Sequence, residues 1–221
     1  MILVPVKDLS AAKQRLAAVL SPEQRTVLAR TMLKDVCAAL ADVPQRPAVG
    51  IVTSDAFAAS LARHYGFELI EDNENRGETE AIALATAEAL KRGAKFSLVL
   101  PGDIPLLTVS EVAAVLSAIP PEGSVLVPAA DGRGTNAVLR RPAALFPLRF
   151  GNDSFVPHHA AARATGKDCI VLDNADLPGI ALDVDRPSDL AQVLGFPMRT
   201  RTQKLLCDWK LPERWRGKAA A

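Results

Sequence analysis

Short apolar runs alternate with helix-like stretches along most of this 221-residue chain. That alternation limits the possible folds more than any single motif. The strand candidates are residues 2–6, 49–53, 68–70, 97–100, 124–128, 136–140, 169–172 and 180–184. Several are continuously apolar, as strands covered on both faces are. Helical patterns fall between them. The clearest opens at Ser21-Pro22-Glu23-Gln24. Ser21 suits the cap, Pro22 the first helical position, and Gln24 completes a capping box. Leu28, Met32, Val36 and Leu40 then recur every four residues as one apolar stripe. Further helices are expected over 55–65, 78–92, 109–119, 154–165 and 187–194. Strand–helix–strand repetition of this kind predicts an α/β fold, a mostly parallel sheet with helices on both faces. In such sheets ligands bind beyond the carboxyl ends of the strands.

The alternation stops at Gly195. We therefore expect one domain over 1–195 and a basic extension over 196–221. From Arg199 to Lys218 there are seven basic residues and two acids, so this stretch carries +5 and the remainder −4. Trp209, Trp215 and Pro212 lie among these charges. The extension reads either as an arm packed on the body or on a partner, or as a solvated end. The partner would be the next enzyme of a pathway or a second subunit of a homodimer. A whole-chain charge of +1 gives no reason to expect nucleic-acid binding. No apolar run approaches the roughly 20 residues that span a bilayer. The opening MILVPV has no basic region before it, so it reads as a first strand rather than a signal sequence. Three cysteines without close spacing fit a reducing cytoplasm and argue against a zinc site.

Five segments carry candidate chemistry. The first is the framed acid in "FSLVLPGDIPLL". Asp103 follows the end of a buried strand, with Pro101-Gly102 before it and Pro105 two residues after it. A solvated acid needs no such frame, so this is a site position. The second is the loop after the first strand, with Lys7, Lys13 and Arg15 within nine residues and no glycine before Gly50. Phosphate loops normally use glycine so that backbone N–H groups approach the anion. Here side-chain cations would have to do that work, unless the loop is simply solvated. The third is the pair Asp183 and Asp185, two residues apart on an expected strand and so on one face. With Asp103 they could hold Mg²⁺ through oxygen while the ion keeps water and substrate phosphates. Alternatively, Asp185 only caps the helix that starts near Pro187.

The fourth is "DGRGTNAVLRRP", where Gly132 and Gly134 allow a tight turn and Thr135 and Asn136 present donors. The fifth is "FGNDSFVPHHAAARATG", where Gly151 and Ser154 stand at a helix start that favours an anion. His158 and His159 follow and read as packing or surface residues, not metal ligands. An alanine-rich helix after Gly77 completes the inventory.

Taken in order, "PVKDLSAAKQRL", "PGDIPLL", "GTNAVLRRP", "FGNDSFVPHHAAARATG" and "LDVDRPSDL" resemble the 2-phospho-L-lactate guanylyltransferase family over about residues 1–194. The resemblance implies a Rossmann-like, three-layer nucleotidyltransferase (GT-A-like) fold with a mixed, mostly parallel sheet. It implies transfer of GMP from GTP to a phosphorylated three-carbon acid, with pyrophosphate released, in deazaflavin coenzyme F-420 biosynthesis. The acid is 2-phospho-L-lactate, phosphoenolpyruvate or 3-phospho-D-glycerate.

On this resemblance Asp103 and Asp185, with Asp183 as the alternative, hold Mg²⁺. Lys7, Lys13 and Arg15 neutralise the triphosphate, with Pro101 and Gly102 beside it. Gly77 meets the base, and Thr135, Gly151 and Ser154 hold the acid. One departure is visible: the family's usual Gly-Leu-Asn is here Gly77-Glu78-Thr79. Two rivals stand beside this reading. One is a nucleotidyltransferase with another acceptor, such as a sugar phosphate, a methylerythritol phosphate or a molybdopterin. The other is a non-catalytic nucleotide-binding protein.

Overall fold

The computed structural model describes residues 1–211 apart from Asn75 and Asn152. Among these residues seven strands form one sheet: β1 (Ile2–Pro5), β2 (Val49–Thr53), β3 (Glu68–Glu71), β4 (Ser97–Val99), β5 (Gly123–Pro128), β6 (Thr135–Arg141) and β7 (Asp168–Val171). Their order is β3-β2-β1-β4-β6-β5-β7. The pairs β1–β2, β2–β3, β1–β4 and β5–β7 are parallel, and β6 runs antiparallel to both its neighbours.

Helices cover both faces. Along β1, Ile2 and Val4 join one apolar cluster and Leu3 the other, the alternation expected of a strand buried on both sides. The first cluster takes side chains from α1 (Pro22–Ala41), α2 (Ala56–Tyr65), α4 (Val109–Ser117), α7 (Pro187–Gly195) and α8 (Arg201–Asp208). The second takes them from α3 (Glu78–Lys91) and α5 (Phe155–Ala164). Chain order carries β2 and β3 to one side of β1 and β4 to the other. The sheet therefore reverses direction of growth between β1 and β4, and a crevice opens there beyond their carboxyl ends. Lys7 and Asp103 stand just past those two ends.

The expected helices form, with ends moved by one or two residues. The capping box of α1 is present: Ser21 Oγ accepts from Gln24 N, and Gln24 Oε1 accepts from Ser21 N. One expected strand does not form. Residues 180–184 make no ladder. Pro178 starts a single helical turn, α6 (Pro178–Ala181), and the chain then runs extended outside the sheet. Its backbone is satisfied elsewhere. Asn136 Nδ2 donates to Ile180 O and Ala181 O at 3.0 and 2.8 Å, and Ala130 N also donates to Ala181 O. Val184 N donates to Asp103 O at 3.2 Å. Gly179 lies so close to Glu111 and the Leu106 carbonyl that a side chain would collide with them. The apolar run read as a strand is buried, but against loops and not in the sheet.

The start of the basic extension packs on the body. Asp35 of α1, buried, accepts from Arg201 N at 3.1 Å and Thr202 N at 2.8 Å, fastening the first turn of α8. Leu206 and Leu211 are buried in the first cluster. Arg214, Trp215, Arg216 and Lys218 lie outside the described residues. No helix among the described residues is long and apolar enough to cross a membrane.

Because Asp35 satisfies two helix-terminal N–H groups and also pairs with Arg201, replacing it should be costly. Asp35→Ala is expected to lower the unfolding free energy by about 1–3 kcal/mol in urea denaturation. An unchanged midpoint and slope would show that α8 is held by other contacts.

Candidate active site

The loop after β1 is built without glycine. Asp8 accepts from Ser10 N at 2.8 Å and caps a 3₁₀ turn, Leu9–Ala11. Asp55, the cap of α2, reaches across to accept from Leu9 N at 3.1 Å. Lys13 then adopts a left-handed backbone, φ 58°, a conformation that costs a residue with a side chain about 1–3 kcal/mol. A second 3₁₀ turn, Gln14–Leu16, follows. Arg25 of α1 supports it by donating to Leu20 O at 3.1 Å and to Gln14 Oε1 at 3.4 Å.

The strained turn aims the Lys13 side chain inward. Its ammonium, almost buried, donates to Asp103 Oδ2 and, at 2.9 Å, to Asp185 Oδ1. Arg15, at the rim, adds a bond of 3.2 Å to Asp185 Oδ2. Acids from two regions, 82 positions apart in sequence, thus share one cation. Burial alone would lower the Lys13 pKa, but Asp103 and then Asp185 outweigh it and hold the group well above its usual value. Burial likewise works against Asp185, yet the Lys13 ammonium, Arg15 and Arg186 keep its carboxyl below the usual range. Asp183 goes the other way. Burial first, then the nearby Asp103 charge, raise it, against the opposing hydrogen bond that it accepts from Asn136 Nδ2 at 3.0 Å.

Two cavities meet at this cluster and share Lys7, Glu78, Pro101 and Asp103 in their walls. One, about 390 Å³, is largely apolar and runs between the β1 loop and α1, past Val6, Leu9, Met32 and Gly102. The other, about 440 Å³, is polar. Thr135, Gly151, Ser154, Asp183, Asp185 and Arg15 line it. Arg133 and Asp153 form a two-point ion pair at its rim. Ser154 opens α5 but does not cap it; its hydroxyl donates instead to Thr135 Oγ1 at 3.2 Å.

The structure therefore brings Lys7, Lys13, Arg15, Pro101, Gly102, Asp103, Thr135, Gly151, Ser154, Asp183 and Asp185 to the two joined cavities. Gly77, with φ 135° in a positive-φ region that favours glycine, stands one residue outside their walls, and its neighbour Glu78 takes the place in both. Burial, followed by the opposed influences of Lys7 and Asp103, raises the Glu78 carboxyl. Sequence reasoning had noted Glu78 only as a departure. It also missed the Arg133–Asp153 pair, and no local signal could have shown it. His158, expected to pack, is buried behind Thr135 and hydrogen-bonded to it. His159 stacks on Phe155.

Hard oxygen donors suit Mg²⁺, which is usually held by one or two carboxylates with water and substrate phosphates completing its shell. Asp103 and Asp185 already converge on one positive charge, so as a pair they fit such an ion. Among the described residues no group of three His, Cys, Asp or Glu side chains is arranged to hold a metal. A divalent ion here would share its ligands with bound phosphates.

A mixed sheet whose reversal point carries lysines and converging carboxylates has the arrangement that a nucleotidyltransferase needs to bind and polarise a nucleotide's phosphates. The fold is similar to that of a Desulfovibrio desulfuricans G20 protein described as a nucleotide-diphospho-sugar transferase, with TM-score 0.76 and 20% identity over 97% of this chain and 96% of that one. It is also similar to 4-diphosphocytidyl-2C-methyl-D-erythritol synthase, with TM-score 0.58 and 16% identity over 87% of this chain and 95% of that one. Residues 1–211 match the family of CofC-like guanylyl transferases, and the chain belongs to it. A phosphoenolpyruvate guanylyltransferase of Sphaerobacter thermophilus is 37% identical over 87% of this chain and 91% of its own length. A 3-phospho-D-glycerate guanylyltransferase of Phenylobacterium zucineum is 34% identical over 93% and 94%.

Burial, reinforced by the Arg140 guanidinium, pushes His158 down to about 4 from its usual 6.5. Between those values the unfolded chain binds a proton that the folded chain refuses. Stability should therefore be undiminished by this group above about pH 6.5 and fall as pH drops towards 4, by up to about 3 kcal/mol. Urea titrations of wild type and His158→Gln across pH 7 to 4 measure this, and the variant should show the shallower fall. Parallel curves would remove His158 as the cause.

Proposed function

We propose that this guanylyltransferase joins GMP from GTP to a phosphorylated three-carbon acid, 2-phospho-L-lactate, phosphoenolpyruvate or 3-phospho-D-glycerate, and releases pyrophosphate. The observation that carries the reading is the Lys13 ammonium held between Asp103 and Asp185 where the two cavities join. The apolar cavity has the lining for a base and the polar one for a small anion. Their junction is where the α-phosphorus would lie.

The nucleophile is a phosphate oxygen of the acid, already anionic at neutral pH, so no general base is needed. It bonds to the α-phosphorus as the bond to the β-phosphate oxygen breaks, and pyrophosphate leaves with that electron pair. The chain's part is positioning and charge neutralisation. Lys7 and Arg15 meet the triphosphate, and Lys13 moves its charge from the carboxylates to the phosphates as they arrive. The Thr135 hydroxyl and the backbone at Gly151 and Ser154 receive the acid at the α5 N-terminus, where the helix dipole favours an anion. Asp103 and Asp185 would hold Mg²⁺, which when bound neutralises charge developing around the α-phosphorus. We further propose a place in deazaflavin coenzyme F-420 biosynthesis and a cytoplasmic location. The free thiols of Cys37, Cys169 and Cys207 support a reducing compartment.

Incubation with GTP and each acid, followed by mass spectrometry of the product, tests the reading. One acid should give a guanylylated diphosphate and one pyrophosphate per turnover. Asp103→Asn should lower turnover by more than about 100-fold with an unchanged circular dichroism spectrum. Turnover with another nucleotide or a sugar phosphate, and none with the three acids, would contradict it. So would a folded, fully active Asp103→Asn.

A further inference from the structure

We infer that His158 is a positioning residue for the acid: it fixes the direction in which Thr135 points its hydroxyl proton and so makes that hydroxyl a donor into the polar cavity. The inference rests on the reading that Thr135 receives the acid through its hydroxyl; the Ser154 hydroxyl proton is already committed to Thr135.

The chain of hydrogen bonds is directional. Arg149 N donates to His158 Nε2 at 2.9 Å. A backbone N–H can only donate, so Nε2 carries a lone pair and the proton of the neutral ring sits on Nδ1. Nδ1 lies 3.0 Å from Thr135 Oγ1 and must donate to it. Ser154 Oγ donates to the same oxygen at 3.2 Å. A hydroxyl oxygen has two lone pairs. Both are now engaged, and the remaining direction is left for Thr135's own hydrogen. Thr135 and Ser154 line the polar cavity, while His158 sits behind them, 1% exposed. With the opposite tautomer, Nδ1 would accept and draw the Thr135 proton inward, away from the cavity.

The surroundings hold this state. The Phe150 ring meets the imidazole edge-on, centroids 4.8 Å apart, and fixes its plane. Phe150 N donates to Thr79 Oγ1 at 3.1 Å, tying that loop to α3. Arg140, buried, spends its donors on Ser97 Oγ, Thr86 Oγ1 and Phe146 O. Its charge opposes a second one on the ring. An imidazolium would also set an N–H against the N–H of Arg149.

Two measurements on the full chain test this. Long-range ¹H–¹⁵N correlation spectra of wild-type protein labelled at histidine report the tautomer. Nδ1–H is expected at His158, and Nε2–H would overturn the inference. Steady-state kinetics with GTP and the acid identified by product analysis then compare two variants. His158→Asn keeps an amide donor near the Nδ1 position and should hold KM for the acid within about threefold. His158→Gln can still accept from Arg149 N but offers no donor to Thr135. It should raise KM for the acid about tenfold, with KM for GTP unchanged. In a Thr135→Val background, His158→Gln should add no further change. Equal effects of the two His158 variants, or additivity with Thr135→Val, would overturn the inference. If Thr135→Val raises KM for the acid and His158→Gln does not, the inference alone fails. If Thr135→Val leaves that KM unchanged, the acid does not meet Thr135, and the reading of the site fails with the inference.

Discussion

One ammonium group, shared by two carboxylates 82 positions apart in sequence, organises the active site. Lys13 comes from the loop after β1, Asp103 from the end of β4, and Asp185 from the segment before α7. Each would be costly alone in a partly buried place, because a charge out of water needs a partner. Together they neutralise one another, and the Lys13–acid contacts offset the strain of its left-handed backbone. The frame around them is rigid for the same end. Pro101 and Pro105 bracket Asp103, and the Asp103 carbonyl takes the Val184 N–H, which docks the Asp183–Asp185 segment against it. The cluster, in which Lys13 and Arg15 balance Asp103 and Asp185, lies between two cavities. It is poised to exchange its internal cation for the charges of an incoming nucleotide complex.

The absence of glycine from the β1 loop follows from the same arrangement. A glycine-rich phosphate loop offers backbone N–H groups, whose strength lies in close approach. This loop is shaped by side-chain caps, Asp8 and Asp55, and delivers its charge at the end of a lysine. At the other wall, Ser154 leaves its helix uncapped and turns towards Thr135, so the α5 terminus keeps its field for a ligand. Two hydroxyls and a buried imidazole then form a donor chain where a surface site would have water.

Much of this was legible in the sequence, and the reason differs by element. The β1–α1–β2 start was readable because Ser21, Pro22, Gln24 and the Leu28–Met32–Val36–Leu40 stripe are local signals. Asp103 was readable because prolines around an acid at a strand end have no use in solvent. Residues 180–184 were misread because burial and apolarity do not tell a strand from a buried loop. What decides between them is Asn136, distant in sequence, whose amide takes two of that segment's carbonyls. Asp183 and Asp185 nonetheless reach the site, since the extended chain keeps their side chains on one side and buries Val184 between them. The Asp35 latch on α8 and the His158–Thr135 bond were unreadable for the same reason: each depends on a partner 23 or more positions away.

The central claim is that Asp103 and Asp185 act as one cation-holding pair. Its most direct test is the binding of Mn²⁺, followed by the electron paramagnetic resonance of the free ion, in the presence of a non-hydrolysable GTP analogue. The account predicts one tight Mn²⁺ per wild-type chain, and affinity weakened at least about tenfold when either acid becomes asparagine. Unchanged stoichiometry and affinity in the Asp103→Asn/Asp185→Asn double variant would contradict it.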